Sequence, residues 1–258
     1  MENLRKYGAA PYTIAVIHGG PGAPGEMAPV ARELAKDWGV LEPLQTASSL
    51  SGQVEELKEV LEKNSHSPII LIGHSWGAFL SFILTAKYPK LVKKLILISS
   101  GSFEEKYTTK LMPTRLSRLT KKERAETEKI LAALEKTKID DHTFSRFGQL
   151  MAKADAYDVL TVKNETLVCD ASLFQSVWNK AAAMRKKGEL LALAKEIHCP
   201  VIGIHGDYDP SPAEGVERPL SQNLDNFKFF LLKNCGHTPW IERQAKEKFY
   251  EILKGEIL

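Results

Sequence analysis

The sequence predicts an α/β protein with a mostly parallel sheet, helices on both faces of that sheet and an inserted helical lid. Short aliphatic runs alternate with segments of helical periodicity over the first hundred residues and again near the C-terminus, as in right-handed βαβ units. Between these parts, residues 103–196 lack strand-like runs and are rich in Lys, Arg, Glu and Ala. We therefore divide the 258-residue chain into a core, residues 1–102 and 197–258, and a helical insertion, residues 103–196.

Composition argues against several classes of protein. The net charge is only +3 and Lys and Glu are interleaved, so nothing predicts binding to nucleic acid or to a membrane surface. No window approaches the roughly 20 apolar residues of a membrane span. The chain has three cysteines, Cys169, Cys199 and Cys235, which lie far apart in the sequence. An odd number at such spacing favours neither a disulfide scaffold nor a zinc site. With no signal-peptide pattern near the N-terminus, we expect a cytoplasmic protein.

Two strands and two helices are predicted before the central strand. Tyr12–Ile17 is rich in β-branched residues and is expected to be the first strand. Glu26–Trp38 has apolar positions at helical spacing, with Gly39 placed as the helix C′ residue. Val40–Thr46 is expected to be a short strand, and the helix after it to end near Asn64.

The stretch around Ser75 is the most informative part of the chain. Ile69–Ile72 is a run of four aliphatic residues, which predicts a buried parallel strand, and helical periodicity follows from Ala78 to Tyr88. Between them stands Gly73-His74-Ser75-Trp76-Gly77. Alone, Gly-x-Ser-x-Gly also fits an ordinary turn, but a strand before it and a helix after it favour a nucleophile elbow with serine at its apex.

The insertion follows another predicted strand, Leu95–Ile98, and so begins at the carboxyl end of the sheet. We expect its helices to form a lid over the strand ends, with Phe174 and Trp178 as candidate substrate-binding residues. The alternative is a helical extension that packs elsewhere. The remaining elements are strands at Pro200–His205 and Phe227–Leu232 and a final helix to about Leu253.

Ser75, Asp209 and His237 occur in that order in loops at strand ends, and they are the candidate catalytic residues. The chemistry needs all three types, because a serine hydroxyl must lose its proton as it attacks, an imidazole can take that proton, and a carboxylate orients the imidazole. Asp207, in the same turn, is the alternative acid, and a lone Asp in such a turn often only caps it. Three other histidines, His18, His74 and His205, are poorer candidates for the base because they lie in glycine turns or at a strand end.

The negative oxygen that develops on the substrate needs backbone N–H donors. Trp76, directly after the nucleophile, is expected to supply one of them. The loop His18-Gly19-Gly20-Pro21-Gly22 is either a simple βα turn or a segment that points N–H groups into the cleft. If the loop does point N–H groups into the cleft, we expect Gly20 to supply the other donor, with Gly19 as the alternative.

Four motifs together resemble the α/β-hydrolase superfamily over nearly the whole chain. They are His18-Gly19-Gly20-Pro21-Gly22, Gly73-His74-Ser75-Trp76-Gly77, Gly206-x-x-Asp209-x-x-Pro212 and Gly236-His237-Thr238-Pro239. The resemblance implies the α/β-hydrolase fold and a lid-bearing serine hydrolase without a metal or organic cofactor, and its Gly-x-x-Asp-x-x-Pro pattern favours Asp209 over Asp207.

Within the superfamily the chain is similar to the proline iminopeptidase branch, which removes N-terminal residues from peptides, but it departs from that branch in three ways. His74 stands where glycine is usual, the sequence after Trp178 lacks the Trp-x-x-Trp-Glu pattern, and only about ten residues precede the first predicted strand. An exopeptidase needs lid carboxylates to hold the substrate amine. The candidates for that part are Asp155, Asp158, Glu165 and Asp170.

Three functions remain open from the sequence. The first is hydrolysis of a small ester or amide through an acyl-enzyme at Ser75. The second is an aminopeptidase that acts on short peptides, and the third is a receptor that binds a ligand on a hydrolase scaffold, because a fold does not by itself fix an activity. The sequence does not determine the oligomeric state.

Overall fold

The computed structural model describes residues 3–20, 24–66, 68–136, 140–161 and 171–258. Pro21 and Gly22 of the first glycine-rich loop, together with Glu165, Cys169 and Asp170, lie outside the described residues.

One seven-stranded sheet forms the centre of the described part of the chain. Its strands are β1 (Leu4–Tyr7), β2 (Tyr12–Ile17), β3 (Gly39–Pro43), β4 (Ile69–His74), β5 (Val92–Ile98), β6 (Val201–Gly206) and β7 (Phe227–Leu232). The spatial order is β1-β3-β2-β4-β5-β6-β7. β1 pairs antiparallel with β3, and the other pairs are parallel. β4 is central and buried at every position, as expected for a strand covered on both faces.

Helices cover both faces of this sheet. They are α1 (Ala28–Leu34), α2 (Leu50–Asn64), α3 (Trp76–Lys87), α4 (Leu111–Ser117), α5 (Lys121–Lys136), α6 (Asp141–Asp155), α7 (Ala171–Lys186), α8 (Glu189–Ala192), α9 (Glu214–Asn223) and α10 (Lys246–Ile257). The last helix thus ends four residues beyond the predicted Leu253. In the part of the chain that the structure describes, no helix combines the length and the apolar character needed to cross a membrane.

Each face of the sheet has its own hydrophobic core, because successive strand side chains point to opposite sides. On one face, strand residues such as Ile17 and Leu71 belong to a cluster with α2 and α3. On the other, Val16 and Ile72 belong to a cluster with α1 and α10. The alternation predicted from the sequence therefore produces a three-layer arrangement.

Several elements differ from the sequence predictions. β1 was not predicted, because a strand of four residues with two charged side chains carries no apolar pattern. α1 is shorter than the predicted Glu26–Trp38, and β3 ends at Pro43 rather than Thr46. The placement of Gly39 as a helix C′ residue is wrong. It begins β3, where an added Cβ would lie 2.4 Å from the carbonyl oxygen of Ala9, so glycine is needed there for close approach.

The segment between β5 and β6 contains α4 to α8 and has a small core of its own. Leu119, Ile130, Phe144 and Leu150 belong to a cluster that joins α5 and α6. α7 instead packs on the main domain, where the side chain of Val177 is fully buried in the cluster formed by α2 and α3. Helices from the insertion thereby reach the carboxyl edge of the sheet.

Candidate active site

Ser75 lies at the apex of a sharp turn between β4 and α3. Its backbone has φ 52° and ψ −114°, a strained conformation for a residue with a Cβ. The flanking glycines make the turn possible. A Cβ at Gly73 would lie 2.2 Å from the carbonyl oxygen of Gly77, and a Cβ at Gly77 would lie 2.4 Å from that of Ile17. The local geometry is therefore that of the predicted elbow, with the serine hydroxyl projecting from the end of the sheet.

His237 and Asp209 lie beside this hydroxyl. Nε2 of His237 is 3.0 Å from Oγ of Ser75, and Nδ1 of His237 is 2.7 Å from Oδ2 of Asp209. The other oxygen of Asp209 accepts a hydrogen bond from the backbone N–H of Ser211 at 2.9 Å. Side chains from three separate loops, at the ends of β4, β6 and β7, thus form one continuous chain of hydrogen bonds.

The two acids of the β6 turn have different surroundings. Asp209 is buried and faces His237. Asp207 instead accepts a hydrogen bond from the backbone N–H of Cys235 at 3.3 Å, and its other oxygen lies 3.6 Å from Nζ of Lys233. Its contacts are those of a residue that caps the turn, as the sequence analysis expected if Asp209 were the acid.

Burial and Asp209 together set the charge of His237. Burial disfavours the charged imidazolium, but the charge of Asp209 and its hydrogen bond outweigh this and raise the pKa of His237 to about 9. Burial also disfavours the Asp209 carboxylate, yet the positive charge of His237, the interaction with His205 and the hydrogen bonds to the carboxylate hold the pKa of Asp209 below its ordinary value. Both shifts favour an ion pair in the resting site.

The glycine loop after β2 approaches Ser75 closely. A Cβ added at Gly19 would lie 3.1 Å from Cβ of Ser75. The N–H of Gly19 donates to Oε2 of Glu26 at 3.0 Å, so this donor is already engaged. The N–H groups of Gly20 and Trp76 have no acceptor among the described residues, and both residues line the cavity beside Ser75. Trp76 begins α3, where the first N–H groups lack partners within the helix.

A second pair of charged residues, which the sequence analysis missed, connects this loop to the elbow. Nδ1 of His74 lies 3.0 Å from Oε2 of Glu26, and Nε2 of His74 lies 3.0 Å from the carbonyl oxygen of His237. A carboxylate and a carbonyl only accept hydrogen bonds, so each ring nitrogen of His74 faces an acceptor. Burial disfavours the Glu26 carboxylate, but the charge of His74 outweighs it and lowers the pKa of Glu26 to about 2.

None of the three histidines set aside in the sequence analysis contacts Ser75 among the described hydrogen bonds. His74 forms the bridge above. A ring nitrogen of His18 lies 2.7 Å from the carbonyl oxygen of Gly19, and one of His205 lies 2.8 Å from that of Ser211. These rings are engaged with backbone, which leaves His237 as the imidazole beside the hydroxyl.

A mainly apolar cavity of about 280 Å³ lies over Ser75. Both predicted substrate-binding residues line it, and the rings of Phe174 and Trp178 are stacked 6.0 Å apart. The other apolar walls come from α6 and were not singled out from the sequence, because their spacing equally fits an ordinary helix core. They are Phe144, Phe147, Met151 and Ala152.

The proposed amine-binding carboxylates are not available in the described part of this cavity. Asp155 lines the cavity but is held by both Nε and Nη2 of Arg115, at 2.7 and 2.6 Å. Asp158 does not line the cavity and lies 3.4 Å from Arg243. Glu165 and Asp170 are outside the described residues. Within the described ranges, no group of three or more His, Cys, Asp or Glu side chains is arranged to hold a metal ion.

Comparisons with known proteins agree with this architecture. The family model described as alpha/beta hydrolase fold matches residues 44–244. The proline iminopeptidase of Lactobacillus delbrueckii subsp. bulgaricus is 24% identical over 273 residues, which cover 94% of this chain and 88% of that protein. The proline iminopeptidase of Heyndrickxia coagulans is 25% identical over 271 residues, covering 95% and 90%.

A solved structure gives the same fold. The crystal structure of VinJ superposes with a TM-score of 0.73 at 16% identity, covering 98% of this chain and 93% of that one. At that identity the likeness speaks for the fold alone. The family model, however, spans well over half of the sequence and includes the elbow, the β6 turn and His237. The chain is therefore a hydrolase and belongs to the alpha/beta hydrolase fold family.

Proposed function

We propose that this hydrolase cleaves a small ester or amide through an acyl-enzyme at Ser75, with His237 as the base and Asp209 as the acid that orients it. The observation that carries the proposal is the chain of contacts Ser75–His237–Asp209, at 3.0 and 2.7 Å, beside an apolar cavity. Small, uncharged acyl groups suit that cavity, since aromatic and aliphatic side chains form most of its wall.

The reaction would proceed in two halves. Nε2 of His237, when neutral, takes the proton of Ser75 as Oγ attacks the substrate carbonyl, and Asp209 stabilises the imidazolium that results. The N–H groups of Trp76 and Gly20 donate to the oxyanion, with Gly19 as the alternative to Gly20. His237 then gives its proton to the leaving group, and a water molecule releases the acyl group by the same route in reverse.

The inserted helices of residues 103–196 would serve as the lid in this scheme. Their part in the cavity wall, through α6 and α7, supports that assignment. A wall that excludes water strengthens the hydrogen bonds to the oxyanion and protects the acyl-enzyme from competing reactions. The cytoplasmic location expected from the cysteines remains a prediction.

The second candidate is an aminopeptidase, favoured by the two proline iminopeptidases that align over more than nine tenths of this chain. The engaged state of Asp155 speaks against it, because a carboxylate already held by a guanidinium offers less to a substrate amine.

Hydrolysis of p-nitrophenyl acetate and butyrate, compared with proline- and alanine-β-naphthylamide, separates the two candidates. We expect Ser75-dependent ester turnover, with butyrate better than acetate, and slower cleavage of the naphthylamides. Ser75→Ala is the control for background hydrolysis. A preference for the naphthylamides would support the aminopeptidase instead, and ester turnover that persists in Ser75→Ala would refute the role of Ser75.

A further inference from the structure

A second cavity, of about 160 Å³, also opens at Ser75 and His237. It shares Arg115 and Trp178 with the apolar cavity, so the two spaces meet at the reacting atoms. Most of its wall is also apolar, but we call it the polar cavity for the polar side chains that distinguish it from the first. It contains Arg185 and the hydroxyl-bearing residues Ser102, Tyr107, Thr108 and Ser211, and all of its lining residues are described. No Asp or Glu is among them.

The two arginines keep unused hydrogen-bond donors at this cavity. Nε and Nη2 of Arg115 donate to Asp155, and Nη1 has no protein partner among the described residues. Nε of Arg185 donates to Glu105 at 3.0 Å, and neither terminal nitrogen of Arg185 has a partner among the described residues. The side chains of Arg115 and Arg185 are 18% and 11% exposed.

These donors are open to an acceptor that enters the cavity. A guanidinium N–H forms a charge-assisted hydrogen bond with a carboxylate oxygen, and a planar carboxylate can accept two such bonds. The counter-charges do not fill the cavity. Asp155 faces the apolar cavity as well as Arg115, and Glu105 is 48% exposed and is not part of the wall. The polar cavity therefore presents positive groups and hydroxyls toward the substrate.

We propose that this polar cavity binds a carboxylate carried by the substrate, next to the bond that is cleaved. The substrate class is then an ester or amide that joins an apolar group, placed in the first cavity, to a short carboxylate-bearing group, placed at Arg115 and Arg185. An N-acyl amino acid and a monoester of a short dicarboxylic acid both have this form. The proposal rests on the proposed function for the reaction but concerns binding, which can be measured without turnover.

The test is calorimetric binding to the Ser75→Ala protein, in which no acyl-enzyme can form. N-hexanoylglycine is compared with the neutral N-hexanoylglycinamide, and monohexyl succinate with the neutral hexyl succinamate. The first pair places the anion on the amine side of the bond and the second on the acyl side. We expect the anionic member of at least one pair to bind about tenfold more tightly or better, the size of one charge-assisted hydrogen bond.

Arg185→Gln in the same background should bring that ratio close to one. Arg218→Gln is the matched control, since Arg218 is exposed and its one ion pair within the described ranges is with an exposed glutamate, Glu214. If Arg185→Gln does not fold, Arg185→Lys, which keeps the charge but loses the planar fork, should weaken the preference.

Three results would overturn the proposal: equal affinities within both pairs, no detectable binding of any of the four compounds, or a preference that Arg185→Gln leaves intact. A failure of the proposed function would look different. Binding of the anion would persist, while the protein with Ser75 present would turn over none of the four compounds.

Discussion

At the scale of single residues, the Asp209 carboxylate determines how readily His237 can act as a base. The pKa of His237 is raised to about 9, and the imidazole must be neutral to accept the serine proton. Ester turnover at low substrate concentration should therefore rise with pH, about tenfold per unit, and level off near pH 9. A kcat/KM that is already constant below pH 7 would contradict this.

The same shift has a consequence for stability. A histidine whose pKa is raised in the folded state stabilises the fold fully below its ordinary pKa of about 6.5, and this contribution is lost as the pH rises through about 9. Asp209→Asn should remove the contribution and flatten the fall in stability between pH 6.5 and 9. Thermal melting of both proteins across this range checks the sign.

The Glu26–His74 ion pair is expected to position the site without touching the substrate's reacting atoms. Glu26→Gln removes the negative charge that faces Nδ1 of His74. The other ring nitrogen of His74 contacts the carbonyl oxygen of His237 at 3.0 Å, so a shift of this ring would displace His237. We expect kcat to fall about ten- to a hundredfold while KM changes little. Glu33→Gln is the control, because Glu33 is a carboxylate of α1 that pairs with lysines. An effect on KM alone would argue against positioning.

How far the site can be predicted depends on the residue. Ser75 and His237 stand in motifs with a fixed spacing, so sequence alone brings them forward as candidates, and the structure places them 3.0 Å apart. Their catalytic roles remain a proposal. Glu26 carries no such pattern, because it meets His74 across 48 residues of sequence. Arg115 is likewise unremarkable in a charged helical segment, and the sequence gives no sign that it pairs with Asp155 at the cavity.

At the scale of elements, the elbow depends on two glycines that no other residue can replace. A Cβ at Gly73 would lie 2.2 Å from a backbone oxygen of α3, and backbone cannot give way cheaply. Gly73→Ala should cost at least about 3 kcal/mol of folding free energy or prevent folding. Gly255→Ala is the matched control. Nothing lies within 4 Å of its added Cβ in α10, so it should gain about 0.5–1 kcal/mol. Urea unfolding measures both, and equal effects would contradict the steric argument.

Elements with a long apolar pattern could be predicted, whereas those that depend on distant partners could not. β4 and α3 are defined by their own residues, which are buried almost throughout. β1 exists because β3 offers it an edge to pair with, and Gly39 is a strand residue because Ala9 and Pro11 pass close to it. Neither contact leaves a trace in the local sequence.

At the scale of the whole molecule, hydrogen bonds to Glu242 connect the residues that follow α6 with the loop of His237. Its buried carboxylate accepts backbone hydrogen bonds from Gly236, Tyr157 and Asp158 at 2.8–3.0 Å. The first of these donors precedes His237, and the other two directly follow α6. One side chain therefore holds both the residues after α6 and the loop of His237.

Glu242→Gln replaces an acceptor by an amide group whose N–H would face another N–H. We expect the melting temperature to fall by about 5 °C or more, because a charge-assisted hydrogen bond is exchanged for an unsatisfied donor. We also expect kcat to fall, because the His237 loop loses its anchor. Glu251→Gln, an exposed carboxylate of α10, should leave both unchanged. A stable protein with unaltered kcat would show that Glu242 does not connect the two parts.

The central claim is that Asp209 and His237 activate the hydroxyl of Ser75. Labelling with a fluorophosphonate tests this claim most directly, because the reagent reacts with an activated nucleophile whatever the substrate is. Intact-mass spectrometry should show a single adduct, mapped to Ser75 by peptide analysis, that is absent in Ser75→Ala and forms far more slowly in His237→Gln. A folded protein that stays unlabelled would contradict the account and leave a binding protein on a hydrolase fold, and an adduct that persists in Ser75→Ala would show that the reactive nucleophile is another residue.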